Sequence, residues 1–188
     1  MIFKKFKNIQ IITERGVSGI GNETMLLAKK AEKINLKSIL EIGTGTGFIP
    51  IYLSKCGLKC EASDINEIAI NCAKRNANNN NTNIVFYISD LFENISKKYD
   101  LIIFNPPLGN TQSQFLNKQI EWIKSILPRG NQRVGNIAYK FVKKQRHVLI
   151  RRFLKSYQLF LNEEGSVLIH LHPSELELIK NYTYKIIN

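Results

Sequence analysis

Residues 40–47 read Leu40-Glu41-Ile42-Gly43-Thr44-Gly45-Thr46-Gly47, an apolar run that ends in glycines at alternate positions. Glycines this dense neither continue a strand nor settle in a helix, so the run has to be a strand that turns sharply, with a helix resuming near Phe48. Glycine also lets backbone amides approach a ligand closely, although a tight strand-to-helix turn needs glycine for steric reasons alone. The spacing is GxGxG with Glu41 two residues ahead of it. It is not the GxGxxG whose third glycine accompanies a bound pyrophosphate, so the turn suits a ligand lacking one.

Short apolar segments bounded by turn residues recur at 38–42, 58–63, 84–89, 99–104 and 166–171, with helical stretches between them. Strands alternating with helices give a parallel sheet covered on both faces, which takes its ligand beyond the carboxyl ends of its strands. In residues 66–78, Asn66 is a cap and Ile68, Ala69, Cys72, Ala73 and Ala77 recur at helical spacing. The asparagine run at 78–81, with Asn83, is too polar to bury and ends that helix. Residues 111–162 read as two helical pieces broken at Pro128-Arg129-Gly130, with Ile150, Phe153, Leu154, Tyr157, Leu159, Phe160 and Leu161 on an apolar side. This connection is longer than one crossover helix needs and predicts an insertion over the mouth of the site. A short helix capped by Ser174 is expected over 174–180 and a last strand over 182–187. The prediction is one α/β domain over residues 1–188: a helical segment at 1–36, a doubly wound, mostly parallel sheet of six to seven strands, and a helical insertion at 111–162 after the fourth strand.

The net charge of +12 is concentrated: residues 101–162 hold eleven Lys and Arg against one acid, Glu121. Lys124, Arg129, Arg133, Lys140, Lys143, Lys144, Arg146, Arg151, Arg152 and Lys155 all follow the 99–104 strand, where they would line a substrate entrance. An anionic partner such as RNA fits that asymmetry; the alternative is a solvated helix face in a lysine-rich protein. The three cysteines are an odd number and Cys56 and Cys60 lack a CxxC spacing, so buried free thiols are expected. There is no run of about 18 apolar residues and no secretory signal, which predicts a soluble, cytoplasmic protein with no membrane partner.

Three further strand ends carry polar groups in an order that suits a nucleoside. Asp64 ends the second strand, where a carboxylate can accept from ribose hydroxyls or else cap the next helix. Ser89-Asp90-Leu91 puts a carboxylate and an apolar residue where an adenine amine and ring face would lie. Asn105-Pro106-Pro107-Leu108 follows the apolar strand at 99–104. Two prolines fix the backbone and donate nothing, so the Asn105 side-chain oxygen and the Pro106 carbonyl are left as acceptors for an NH2 group. His170 and His172 share a face at the end of the 166–171 strand, where either could touch substrate or accept a proton, and no further residues are arranged around them as zinc ligands.

Together ILEIGTGTG, Asp64, SDLF and IIFNPPL resemble the class I S-adenosylmethionine-dependent methyltransferases, and within them the branch with an NPPY-type fourth motif, which methylates glutamine amides and adenine or guanine nitrogens. The likeness covers residues 21–109. It implies a Rossmann-like fold and S-adenosylmethionine as cofactor. It further implies that Glu41, Gly43, Thr44, Gly45 and Gly47 serve the methionine part, Asp64 with Ile65 the ribose, Asp90 with Leu91 the adenine, and Glu23-Thr24 the closing segment. Asn105, Pro106 and Pro107 would then orient the target nitrogen as the catalytic turn, with Asn105 also bordering the cofactor. Leu108, Arg129, Arg133, Lys143, Lys144, His170 and His172 would bind the substrate. The branch usually has an aromatic residue where this chain has Leu108; stacking on a base is worth about 1 to 3 kcal/mol, and Phe104, Phe115, Trp122 or Tyr139 are the candidates to replace it. FNPPLG, followed by the RRFLKS and LNEEGSVLIHL stretches, also resembles ribosomal-RNA uridine N3-methyltransferases, whose fourth motif lacks that aromatic too. The expected reaction is N-methylation of RNA or of an RNA-associated substrate. The alternatives are a protein glutamine or asparagine amide, a small anionic metabolite, or a non-catalytic RNA-binding scaffold. Family members carry two further strands after the last helix, where residues 182–187 offer one, so that either the sheet is short by one strand or a homodimer or partner subunit completes it.

Overall fold

The computed structural model describes residues 4–6, 8–107 and 132–182, with side chains from 8–107 and 143–182. Two compact units divide the chain: residues 1–105 with 156–170, and residues 106–155 with 171–188.

The first unit opens with an antiparallel hairpin of β1 (Lys4–Phe6) and β2 (Ile9–Ile11), followed by helix α1 (Asn22–Ile34). The N-terminal segment is therefore not wholly helical, as its sequence suggested. Alternation then runs as expected: β3 (Ser38–Ile42), α2 (Phe48–Lys55), β4 (Lys59–Asp64), α3 (Glu67–Asn79), β5 (Val85–Ile88), β6 (Tyr99–Phe104) and, late in the chain, β7 (Leu161–Ile169). The five later strands form one parallel sheet in the order β5-β4-β3-β6-β7. Among the described residues the doubly wound sheet thus has five strands, not six or seven; the strand expected at 182–187 lies, Tyr182 apart, outside them. The order reverses between β3 and β6, so the crevice for a ligand opens beyond Ile42 and Phe104, which are register partners.

Both faces of β3 are buried, which its mainly apolar sequence anticipates for a central parallel strand, with Glu41 the buried exception. Helix α2 lies in the core with Phe48, Ile49, Ile51, Tyr52 and Leu53 all at 1 % exposure or less. Each such side chain contributes about 1.5 to 3 kcal/mol by leaving water. Helix α3 is capped as its sequence indicated, the Asn66 side chain accepting from the Ile68 N–H at 3.0 Å. Asn76 within it and Asn80 at its C-terminal cap have an unexpected task. Asn80 exchanges hydrogen bonds with both backbone groups of Gln10, and Asn76 does the same with Ile12, at 2.8 to 3.0 Å. Side-chain amides thereby stand in for a neighbouring strand along one edge of β2, and Asn76 also donates to the Thr46 carbonyl in the glycine turn at 2.9 Å. The cysteines are all free; Cys60 and Cys72 are buried, but Cys56, just past the end of α2, is exposed.

In the second unit the main element is α4 (Gln132–Ser156), whose last residue passes to the first unit. The first of the two helical pieces expected at 111–162 falls on residues outside those described, and the second ends earlier than expected. A 3-10 turn at Tyr157–Phe160 follows, and Leu161 already begins β7, so Leu159 to Leu161 do not continue α4. The short helix near the end is a 3-10 turn over Pro173–Ile179, capped by His172 and not by Ser174. Pro173 occupies the first turn, where a missing N–H costs nothing, and this moves the cap back by two residues. No described helix is long and apolar enough to cross a membrane.

Candidate active site

The glycine turn is built as its sequence requires. Gly43, Gly45 and Gly47 have φ of 73°, 54° and 78°, all in the left-handed region. At Gly47 a methyl group would also lie 2.9 Å from the Ala73 Cβ of α3, so this glycine is what lets α3 approach the turn. The Gly43 and Thr44 amides donate to the Ser63 carbonyl at 2.8 and 2.9 Å and tie the turn to the end of β4. Beneath it Glu41, 3 % exposed, accepts from the Thr44 hydroxyl at 2.5 Å. Burial drives the Glu41 pKa well up against that hydrogen bond, and Asp64 adds to the rise, so the carboxyl favours its neutral form.

Asp64 accepts from the Gly45 N–H and the Asn66 N–H, both at 2.9 Å. It thereby links the glycine turn to the residue before α3, but the cap of that helix is Asn66 and not Asp64. Burial also raises its pKa, opposed by the N–H groups of Asn66, Gly45 and Ile65. Next to it Ile65 is 67 % exposed, a large apolar side chain facing water beside a half-buried carboxylate. Leu91 takes a left-handed φ of 51°, uncommon for a branched residue, and is 8 % exposed. Its carbonyl accepts from the Ser89 hydroxyl at 3.1 Å, and Ser89 in turn accepts from the Asn94 N–H at 3.0 Å. Half-buried Asp90 sits in this tight turn, which a stacked pair of Phe92 and Phe160, 4.5 Å apart, anchors from behind.

Asn105 closes the first unit. Its Nδ2 donates to the Thr24 hydroxyl of α1 at 3.3 Å, which leaves its oxygen as the acceptor end. Glu23-Thr24, matched in sequence to the closing segment, thus contributes a direct contact to the Asn-Pro-Pro turn.

The second unit begins with Pro106, and here the structure departs from what the prolines alone implied. The Pro106 and Pro107 carbonyls are not left open: Arg146 of α4 donates to both from Nη1, at 2.9 Å for Pro107. Arg146 is 7 % exposed and pairs through Nε and Nη2 with the two oxygens of Glu175, at 2.6 and 3.0 Å. Glu175 also accepts from the His172 N–H at 2.8 Å. Burial pushes its pKa up, but the Arg146 hydrogen bonds, the His172 N–H and the nearby cationic groups bring it below the ordinary value, so the pair is ionic. The sequence groups Arg146 with the basic residues expected to line the substrate entrance, whereas it is buried in an ion pair. Its phase was the available signal, since it stands four residues before Ile150 and seven and eight before Phe153 and Leu154, all buried.

Of the other expected substrate residues, Leu108 and Arg129 lie outside the described residues, as does the side chain of Arg133 on α4. Lys143 is half-buried, and Lys144, Arg151, Arg152 and Lys155 are exposed. The expected shared strand face of the two histidines is absent, because β7 ends at Ile169. His170 donates its N–H to the Phe104 carbonyl at 3.1 Å, extending the β6 pairing. His172 uses Nδ1 to cap the 3-10 turn, 3.2 Å from the Ser174 N–H. A separate crevice, lined by Asn8, Ile9, Tyr52, Lys55 and Cys56 at the far end of α2, shares none of these groups.

Residues 8–128 match the methyltransferase small domain family. The chain is 39 % identical over 148 residues to a provisionally named protein N5-glutamine methyltransferase of Methanocaldococcus jannaschii, covering 78 % of this chain and 68 % of that protein. It is also 39 % identical over 109 residues to the ribosomal RNA small subunit methyltransferase C of Buchnera aphidicola subsp. Cinara cedri, spanning 55 % of this chain but 32 % of that one. In fold it is similar to a T. thermophilus 16S rRNA N2 methyltransferase solved with AdoMet and guanosine, with a TM-score of 0.66, 13 % identity, and coverage of 96 % of this chain and 44 % of the other.

Proposed function

This chain belongs to the methyltransferase small-domain family, whose members depend on S-adenosylmethionine, and from that premise we propose that it methylates a nitrogen of an RNA or of a protein that works on RNA. The observation that carries the reading is the meeting of the glycine turn, Asp64 and Asn105 at the carboxyl ends of β3, β4 and β6, where the strand order reverses.

The residues present fit the cofactor. Gly43, Thr44, Gly45 and Gly47 offer close backbone approach to a methionine moiety, braced from below by Glu41. Asp64 holds ribose hydroxyls and Asp90 an adenine amine, while Leu91 and exposed Ile65 cover a flat apolar ring that would take Ile65 out of water. Bound S-adenosylmethionine supplies a methyl carbon made electrophilic by its sulfonium. Asn105 accepts an N–H of the target through its oxygen, and the second lone pair of the Pro106 carbonyl accepts another. These bonds localise the nitrogen lone pair and aim it in line, positioning that can supply roughly 7 to 11 kcal/mol. The nitrogen–carbon bond forms as the carbon–sulfur bond breaks, and the nitrogen then releases its proton to solvent, so no strong base is needed.

Leu108, Arg129, Arg133, Lys143, Lys144 and the two histidines belong to the substrate side of this proposal, and the basic residues favour a phosphate-bearing partner. The glutamine methyltransferase relative and Leu108, in place of a stacking aromatic, favour an amide target on a protein associated with RNA. We place the reaction in the cytoplasm, with residues 1–188 acting as one methyltransferase domain and a second copy or a partner subunit at the β7 edge. The test is transfer of tritiated methyl from S-adenosylmethionine into an extract of cells lacking the gene, split into RNA and protein, beside calorimetric titration with S-adenosylhomocysteine. Label in either fraction with binding of the product supports the reading and assigns the substrate class; no binding and no transfer overturns it in favour of a scaffold.

A further inference from the structure

We propose that Arg146, held by Glu175, is a positioning residue for methyl transfer: its guanidinium fixes the Pro106 and Pro107 carbonyls so that the target nitrogen meets an acceptor already aligned. The inference rests on the reading of Asn105-Pro106-Pro107 as the catalytic turn.

Two consecutive prolines have no N–H groups, so the turn cannot secure itself through a backbone ladder, and its carbonyls need a donor from elsewhere. The guanidinium fork suits that need. Nη1 serves both carbonyls, while Nε and Nη2 are held by the two Glu175 oxygens. Glu175 is itself fixed by the His172 N–H and by its place in the capped turn at Pro173–Ile179. The carbonyl directions thus follow from a chain of contacts that starts on a second element.

A buried ion pair is a weak way to gain stability, since well-packed apolar residues do as well, so its geometry and charge balance are the more informative properties. Arg146 takes one of the two lone pairs of the Pro106 carbonyl, and under this proposal the other serves the substrate. The charge balance matters because the attacking nitrogen becomes cationic as the new bond forms. An unpaired guanidinium on the turn would oppose that charge, and ionised Glu175 cancels it. Lysine, a point charge with no planar fork, cannot reproduce the arrangement.

The test uses the full chain with Arg146→Lys, Arg146→Met and Glu175→Gln. Product affinity is read with S-adenosylhomocysteine, and tritium transfer is followed against dilutions of the gene-deleted cell extract, with rates normalised to product-binding sites. The expected result is a fall in turnover of about thirtyfold or more for Arg146→Met, with product affinity and the half-saturating extract concentration within about threefold of wild type. Arg146→Lys should fail to rescue, and Glu175→Gln should be impaired as well. A purely structural role would reduce the number of product-binding sites and leave turnover per site unchanged. Turnover per site within about threefold of wild type in Arg146→Met, or in Arg146→Lys where the first variant does not fold, overturns the proposal, as does loss of product binding in both. Wild-type protein that binds no product and transfers no label instead defeats the underlying methyltransferase reading, a result the wild-type control separates from the others.

Discussion

The Asn105 amide nitrogen is committed to Thr24, so its oxygen is aimed by a contact that does not involve the substrate. Asn105→Ala should therefore lower turnover by about a hundredfold or more while product affinity measured by calorimetry changes little. A variant that keeps its turnover would remove Asn105 from the chemistry. Glu41 offers a second test at a single residue. Its pKa is raised in the folded chain by burial and by Asp64, with Thr44 opposing, so between the unfolded value near 4.3 and the folded value the native state binds more protons than the unfolded one. Stability contributed by neutral Glu41 is then present at low pH and lost as pH rises through the folded value. Glu41→Gln mimics the neutral form, so thermal unfolding should show the variant gaining on wild type from pH 5 to pH 8; a constant gap would mean that Glu41 is ionised in the fold. The strand-end positions of Asn105, Asp64 and the glycines were legible because each follows an apolar run and has a chemically distinctive neighbour. The donor to Pro106 was not, because a basic run hides the one arginine that lies in the phase of Ile150, Phe153 and Leu154.

Among the elements, β3, β4, β5 and β6 could be read within a residue or two, since each is a short, largely apolar run between turn residues, whether buried like β3 and β6 or at the sheet edge like β5. The N-terminal hairpin could not. What satisfies the backbone in and just past β2 is a pair of asparagines 64 and 70 residues away, on α3 and at its cap, and such a pairing leaves no local periodicity. The same asparagine-rich run that signalled the end of a helix also contains Asn80, whose side chain performs this docking. Asn76→Ala would strip a donor and an acceptor from Ile12 and a donor from the Thr46 carbonyl of the glycine turn. With those groups part-buried, the expected loss is about 2 kcal/mol in urea unfolding with an unchanged slope, accompanied by weaker product binding. A loss of stability without any effect on product affinity would show that Asn76 serves the hairpin alone. The start of β7 and the His172 cap were misread for a related reason: the apolar phase of α4 runs on into Leu159 to Leu161, and histidine seldom serves as a cap.

For the whole molecule, charge decides which partner the chain can meet. Its excess of +12 resides almost entirely in residues 101–162, and on α4 the exposed positions Lys144, Arg151 and Lys155 recur seven and four residues apart, which places them along one helix face opposite the phase of Arg146 and Ile150. A row of this kind can follow a phosphate backbone, whereas a merely solvated face would show no preference for polyanions at physiological salt. Counterion release provides the discriminating quantity. If about four phosphates are neutralised on single-stranded RNA, the logarithm of affinity should fall against the logarithm of salt with a slope near −3. Replacing Lys144, Arg151 and Lys155 together by Gln should flatten that slope by about 2 and leave product binding untouched, because none of the three is among the residues assigned to the cofactor. Filter binding of a structureless 20-nucleotide RNA at four salt concentrations measures both slopes. A slope of similar size in the triple variant would move RNA contact to other basic residues of the segment, and a slope near zero in the wild type would direct the search for the methylated nitrogen to proteins.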